Sequence, residues 1–166
     1  MKNQKPEIKD LKERQVAFVS FTGNYIGKPE IFQELFNKLC GWAGPKGALT
    51  PKTVFLSSYQ DDPKTTPPDK LSLDLCMGIP DDMQTEGDIQ KKVLPGGKYV
   101  VMHSELTGPQ EYSQAWEAIV EWMIQNRCEI DMTRPSYEIY LNNPEEHPKK
   151  HHMIDICMSV KPESSE

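Results

Sequence analysis

One glutamate stands in the middle of an extended apolar run near the C-terminus. Residues 134–144 read RPSYEIYLNNP, so Glu138 is flanked by Tyr137 and Tyr140. Because side chains alternate along a strand, Glu138 shares one face with Ser136 and Tyr140. Two interpretations stay open. The glutamate is either solvated and paired with a neighbouring lysine, or it lies at the floor of a groove, compensated by a cation, a tyrosine hydroxyl or water.

Aromatic side chains are placed where they could surround such a carboxylate. Tyr25 precedes the first predicted helix and Tyr112 opens the second, while the tryptophans on the helices are Trp42, Trp116 and Trp122. Aromatic faces around a carboxylate predict a site for planar or cationic organic molecules, through stacking and cation–π contact. Because helix tryptophans commonly belong to a core, we expect Trp116 or Trp42, rather than all three, to reach the ligand.

The remaining reactive side chains indicate no metal centre and no cofactor. His103 and Glu105 share a face of one strand, as an acid/base pair or as ordinary polar residues of a half-solvated strand. His151 and His152 are adjacent in a strand, so only one of them could face a given ion. The four cysteines lie far apart without paired spacing, which predicts buried free thiols. Neither a nucleophile elbow nor a complete phosphate-binding loop is present.

A repeat explains how the chain would position these residues. Residues 73–79 read LDLCMGI, and residues 154–160, 81 positions later, read IDICMSV. The same offset aligns Tyr59 with Tyr140, and no gap is needed. Each copy therefore contains two extended runs joined by a loop with polar turn residues.

Each copy also carries a helix behind an extended segment. Apolar residues recur at helical spacing over 29–43 and 109–126. The segments before them, 15–23 and 98–108, are predicted strands that end in glycine. The connection between the copies is predicted to hold a short edge strand around 89–93.

These elements predict an α+β fold built from a duplicated β-α-β-β unit. Repeat one covers about 12–80, the connector 81–97 and repeat two about 98–161, within one domain of residues 1–166. Side by side, the two units would form an antiparallel sheet with two helices and a pseudo-two-fold axis. A central ligand groove is expected along that axis, because small ligands usually bind in concave junctions.

Composition points to a cytoplasmic protein. The chain has a mass of 19.0 kDa, is 37% hydrophobic, and carries a formal charge of −6 with charges of both signs interspersed. This balance argues against direct nucleic-acid binding. The N-terminal region has no apolar stretch that could act as a signal peptide or membrane span.

Three segments make the chain resemble the GyrI-like small-molecule-binding domain, the effector-binding domain of AraC-type and MerR-type multidrug-responsive regulators. They are FTGNYIGKPEIFQELFNKLCGWA, GGKYVVMHSELTGP and, most specifically, RPSYEIYLNNPEEHPKKHHMIDICMSV. The resemblance covers about residues 10–161. It implies an SHS2-type duplicated β-α-β-β fold with a groove between the helices.

The resemblance also implies site residues and ligands. Similar proteins bind amphipathic, often cationic, aromatic compounds, and the glutamate of the family's Y-E-x-Y motif carries over to Glu138. Tyr140 lies beside it, and Tyr25 comes from the G-x-Y turn. Regulators of this kind carry a helix-turn-helix domain, whereas only about ten polar residues precede the first predicted strand here, so DNA binding is not expected.

Three functions follow as hypotheses. The first is a stand-alone binder that holds small amphipathic ligands over Glu138, for sensing or sequestration. The second is a hydrolase of strained electrophiles, such as cyclopropane-containing natural products, with Glu138 and Tyr140 as acid/base groups. The third is a gyrase-inhibitor-like protein that binds DNA gyrase or a separate regulator.

Overall fold

The computed structural model describes residues 1–62 and 64–162, and these contain two helices and nine strands. The strands are β1 Lys2–Asn3, β2 Glu7–Leu11, β3 Arg14–Thr22, β4 Phe55–Tyr59, β5 Ser72–Gly78, β6 Gln90–Leu94, β7 Gly97–Leu106, β8 Ser136–Tyr140 and β9 His152–Ser159. The helices are α1 Pro29–Ala43 and α2 Tyr112–Gln125. Within the described ranges, no helix combines the length and the hydropathy needed to cross a membrane.

The chain divides into two compact units. One is Glu13–Leu94, here called the 13–94 unit, and the other, the C-terminal unit, combines Met1–Lys12 with the chain from Pro95 onward. The 13–94 unit pairs its strands antiparallel in the order β6-β3-β5-β4. Helix α1 packs against β3 and β5 and buries Leu35 and Leu39. The helical spacing of these leucines explains why one face of α1 is buried.

The C-terminal unit places α2 over one face of its sheet. β7 pairs with β9, and β9 pairs with β8, both antiparallel. The core under α2 consists of buried apolar side chains from the helix and from alternate positions of β7 and β9, together with one residue after β9: Val100, Met102, Leu106, Ala115, Ile119, Met123, Ile154, Ile156, Met158 and Val160. Strand alternation therefore directs the residues between these positions to the other face.

Two N-terminal strands contradict the sequence interpretation. The sequence predicts no strand before residue 15, yet β1 and β2 both pair antiparallel with β7, from Lys2 opposite Glu105 to Leu11 opposite Gly97. Side chains of β1 and β2 are almost all exposed, so they carry no apolar alternation that would predict a strand. Their pairing comes from backbone hydrogen bonds to an available sheet edge, which polar sequences satisfy equally well.

The predicted α+β class, with antiparallel strands and two helices, is confirmed. Each unit contains the element order strand, helix, strand, strand, from β3 to β5 and from β7 to β9. β6 confirms the short edge strand predicted in the connector, and its pairing with β3 assigns that part of the connector to the 13–94 unit. Descent of the two units from a duplicated segment stays a prediction.

The four cysteines are free thiols, but only Cys76 and Cys157 are buried as predicted, and this difference in burial predicts two reactivity classes. Cys76 is fully buried, and this desolvation raises the pKa of its thiol to about 12, while Cys157 is 1% exposed. Because the thiolate is the reactive form, we expect iodoacetamide to modify only the partly exposed Cys40 and Cys128 in the folded protein. Peptide mass spectrometry before and after guanidinium unfolding measures this. Modification of Cys76 in the folded protein would contradict the assigned burial.

Candidate functional site

Glu138 is a buried carboxylate held by two aromatic side chains. It is 2% exposed in the middle of β8. The indole Nε1 of Trp116 donates to Oε2 at 2.8 Å, and the hydroxyl of Tyr140 donates to Oε1 at 2.9 Å. Of the two interpretations from sequence, the solvated glutamate paired with a lysine does not fit this burial.

Local sequence explains why Glu138 faces helix α2. In the antiparallel register, Glu138 lies opposite Ile156, which belongs to the core under the helix. The preceding residue, Tyr137, lies on the other face, where its ring packs 5.4 Å from that of Tyr99. Trp116 approaches from α2, so the carboxylate and the indole meet between sheet and helix.

The two donors are compatible with a charged carboxylate. An ionised carboxylate accepts at both oxygens. The Trp116 indole can only donate, and the Tyr140 hydroxyl donates here as well. Hydrogen bonds to an ionised group are stronger than those between neutral groups, so this pair offsets part of the cost of burying the charge.

Tyr112 and His152 form a neutral pair near the carboxylate. The Tyr112 hydroxyl lies 2.8 Å from Nδ1 of His152, and the two rings meet edge-on at 90°. Burial, and then the negative charge of Glu138, raises the pKa of Tyr112 well above its usual range. Desolvation lowers the pKa of His152. Both shifts favour the uncharged forms of Tyr112 and His152 at neutral pH.

The sequence interpretation did not predict His152 as the partner of Tyr112. The sequence could have indicated it, because strand alternation places His152 on the same face as Ile154 and Ile156, which face α2. Of the six predicted site residues, the structure thus brings together Glu138, Tyr140, Trp116 and Tyr112.

The other two predicted site residues, Tyr25 and Trp42, belong to the 13–94 unit. Tyr25 is 6% exposed, with its ring 6.1 Å from Phe32 and 5.4 Å from Tyr59. Trp42 is partly buried, and the Lys46 ammonium lies 5.6 Å from its ring centre. Their part in ligand binding stays a prediction. Tyr59 was not predicted as a contact of Tyr25, although the repeat aligns it with the predicted site residue Tyr140.

His103 and Glu105 do not pair with each other. His103 Nδ1 lies 2.9 Å from Oδ1 of Asp155, and Glu105 Oε2 lies 2.8 Å from Nδ1 of His151. They lie on the sheet face away from α2, because Leu106 and Met102 beside them face the helix. An acid/base role of His103 with Glu105 is therefore not supported.

The 13–94 unit also has an open depression of about 420 Å³. Its lining comes from segments 14–16, 47–56 and 78–83. The lining residues include none of the six predicted site residues, and the depression mixes backbone with aliphatic and a few polar side chains. The buried carboxylate with its aromatic donors offers more specific chemistry, and we assign the candidate site to it.

A family model and a curated relative both match nearly the whole chain. The sequence model of the GyrI-like small molecule binding domain matches residues 4–161. The DNA gyrase inhibitor of Escherichia coli strain K12 is 26% identical over 160 residues, which cover 94% of this chain and 96% of that protein.

Two solved structures share the fold. The EcmrR C-terminal domain superposes with a TM-score of 0.75 at 17% identity, covering 97% of this chain and 99% of that one. SAV2435, solved bound to tetraphenylphosphonium, gives a TM-score of 0.64 at 14% identity, covering 95% and 94%. At these identities the two structures show the fold alone. With the match over nearly its whole length, the chain belongs to the GyrI-like small-molecule-binding domain family.

Proposed function

We propose that this protein binds amphipathic organic cations and that Glu138 supplies the negative charge that pairs with the ligand. The observation that carries the proposal is the burial of the Glu138 carboxylate. It is only 2% exposed, and each of its oxygens accepts a hydrogen bond from an aromatic side chain. The family's small-molecule-binding description and the tetraphenylphosphonium complex of SAV2435 support the same ligand class.

Electrostatics gives the reason for a cationic ligand. A buried ionised carboxylate costs several kcal/mol unless positive charge or hydrogen bonds compensate it. Trp116 and Tyr140 provide hydrogen bonds but no formal charge. The negative charge of Glu138 would attract a cation, and aromatic faces add about 2 kcal/mol of cation–π attraction when the contact is desolvated.

A part for Tyr25 and Trp42, both in the 13–94 unit, in ligand binding stays a prediction. A protein that binds and releases such compounds without changing them would serve in sensing or sequestration.

A pair of ligands with one shape and opposite charge tests this function. We expect tetraphenylphosphonium to quench intrinsic tryptophan fluorescence saturably, because Trp116 contacts Glu138. Tetraphenylborate, in a sodium buffer, should bind at least roughly thirty-fold more weakly, which corresponds to about 2 kcal/mol. Equal affinities for the two ions, or tighter binding of the anion, would contradict a site organised by Glu138.

The protein-partner function is supported by the name of the Escherichia coli relative. If tetraphenylphosphonium does not bind but the protein inhibits supercoiling by purified DNA gyrase, the partner function replaces the proposed one. Incubation with a cyclopropane-containing alkylating compound tests the hydrolase hypothesis, because ring opening by water adds the mass of one water molecule to the product.

A further inference from the structure

A second cluster of reactive side chains lies in the C-terminal unit, on the side of the sheet away from Glu138. Glu105, His147 and His151 each offer one donor atom within 4.8 Å of the other two, and all three are partly buried. We propose that these residues bind a divalent metal ion such as Zn²⁺. This site goes beyond the proposed ligand binding and does not depend on it.

The donor set suits such an ion. Two imidazole nitrogens with one carboxylate oxygen are ligands that zinc prefers, and three protein ligands leave a fourth position open. His151 Nδ1 lies 2.8 Å from Oε2 of Glu105, and the rings of His147 and His151 are stacked at 4.9 Å with an angle of 13°. The charge of Glu105 would partly neutralise the cation.

The loop that carries both histidines is held by its own hydrogen bonds. Lys150 adopts a left-handed φ of 60°, and its N–H donates to the carbonyl of His147 at 3.0 Å. The amide of Asn142 donates to the His151 carbonyl at 3.0 Å and accepts from the N–H of Met153 at 2.9 Å. Because the loop is already ordered, little conformational entropy would be lost when an ion binds.

One histidine already presents a lone pair. The Lys149 N–H donates to Nδ1 of His147 at 3.0 Å, so this nitrogen is unprotonated in the metal-free protein. Coordination through this nitrogen would replace its hydrogen bond from Lys149. Ligand atoms around tetrahedral zinc lie roughly 3.4 Å apart, so donor atoms that lie within 4.8 Å of one another need to approach by at most about 1.4 Å through side-chain rotation.

This inference revises the expectation of no metal centre. That expectation considered His151 beside His152, whose side chains point to opposite faces of the strand. The structure confirms the opposition, since His152 reaches Tyr112. The partners of His151 are instead Glu105 on the neighbouring strand and His147 four residues back.

Calorimetric titration of the tag-free, full-length protein with zinc chloride in a non-coordinating buffer tests the site. We expect saturable binding of one ion per chain. Glu105→Gln, His147→Gln and His151→Gln should each weaken zinc binding by roughly tenfold or more, since each removes a ligand. His103→Gln is the matched control, because His103 lies on the same sheet face but pairs with Asp155.

Either of two results would show that the three residues do not form a metal site. Absence of saturable heat with the wild-type protein, or equal weakening by His103→Gln and His147→Gln, would overturn the proposal. Circular dichroism confirms that each variant is folded. Glu138→Gln should retain zinc affinity, so failure of the metal site and failure of the proposed ligand site are distinguishable.

Discussion

Glu138→Gln is expected to weaken tetraphenylphosphonium binding by roughly thirty-fold, about 2 kcal/mol, while the protein stays folded. The substitution keeps the size of the side chain and removes its charge. The variant therefore loses the attraction between the carboxylate and the cation but little of the apolar contact. Tryptophan fluorescence titration of both proteins measures the difference.

The hydrogen bonds around residue 138 can adapt to the amide. Trp116 can only donate, so the single amide oxygen must remain on its side. The Tyr140 hydroxyl can rotate and accept from the amide N–H instead of donating. Because both partners stay satisfied, the loss of affinity reports the charge and not a disrupted site.

Glu117→Gln provides the control for net charge. Glu117 lies on the exposed face of α2, one residue after Trp116. Its replacement changes the charge of the protein by the same amount at a solvated position, where the effect on binding should be small. If Glu138→Gln binds the cation as tightly as the wild type, or if Glu117→Gln weakens it equally, Glu138 does not provide the ligand's counter-charge.

Ile119→Ala is expected to lower the free energy of unfolding by about 3 kcal/mol. Ile119 is fully buried in the core under α2, among Val100, Met102 and Ile156. Truncation removes apolar contacts and leaves a cavity that neighbouring strands cannot fill without moving. In a chain of this size, that loss corresponds to a fall in melting temperature of roughly 6–12 °C. Urea unfolding and thermal melts measure both values.

Ile124→Ala is the matched control on the same helix. Ile124 is 71% exposed, so the same chemical change removes little buried surface. Its effect should stay within about 0.5 kcal/mol, helped by the higher helix propensity of alanine. Similar losses for Ile119→Ala and Ile124→Ala would mean that the face of α2 assigned to the core is wrong.

The elements with strong apolar periodicity were predictable from sequence. The helix predicted over 29–43 is observed as Pro29–Ala43, and the one predicted over 109–126 is observed as Tyr112–Gln125. The second helix begins later because residues Pro109–Glu111 form a separate 3-10 turn. Periodicity sets which residues a helix buries, whereas the first turn depends on local backbone geometry.

Strands at sheet edges were less predictable. β6 carries one buried residue, and its other residues are exposed or half-buried. It was predicted because it lies in the connector between the two repeats. β1 and β2 have no comparable signal, since their side chains are almost all exposed. Their position depends on the free edge of β7, which exists only once the sheet has formed.

For the site, sequence by itself determined residue types and faces. Alternation along β8 placed Glu138 and Tyr140 together on one face. Comparison of the two repeats showed that the first repeat carries Ser57 at the position of Glu138, so the carboxylate is specific to the second repeat. Alternation does not say which face is buried. That was decided by α2, whose Trp116, 22 positions before Glu138, donates to the carboxylate.

The tertiary structure alone decided which distant groups meet. Glu105 and His151 are 46 positions apart and become neighbours because β7 pairs with β9. The pairing of Tyr112 with His152 likewise requires α2 to pack across that sheet. Local sequence sets backbone preference and side-chain direction within an element, but contacts between elements depend on burial of apolar surface by the whole chain.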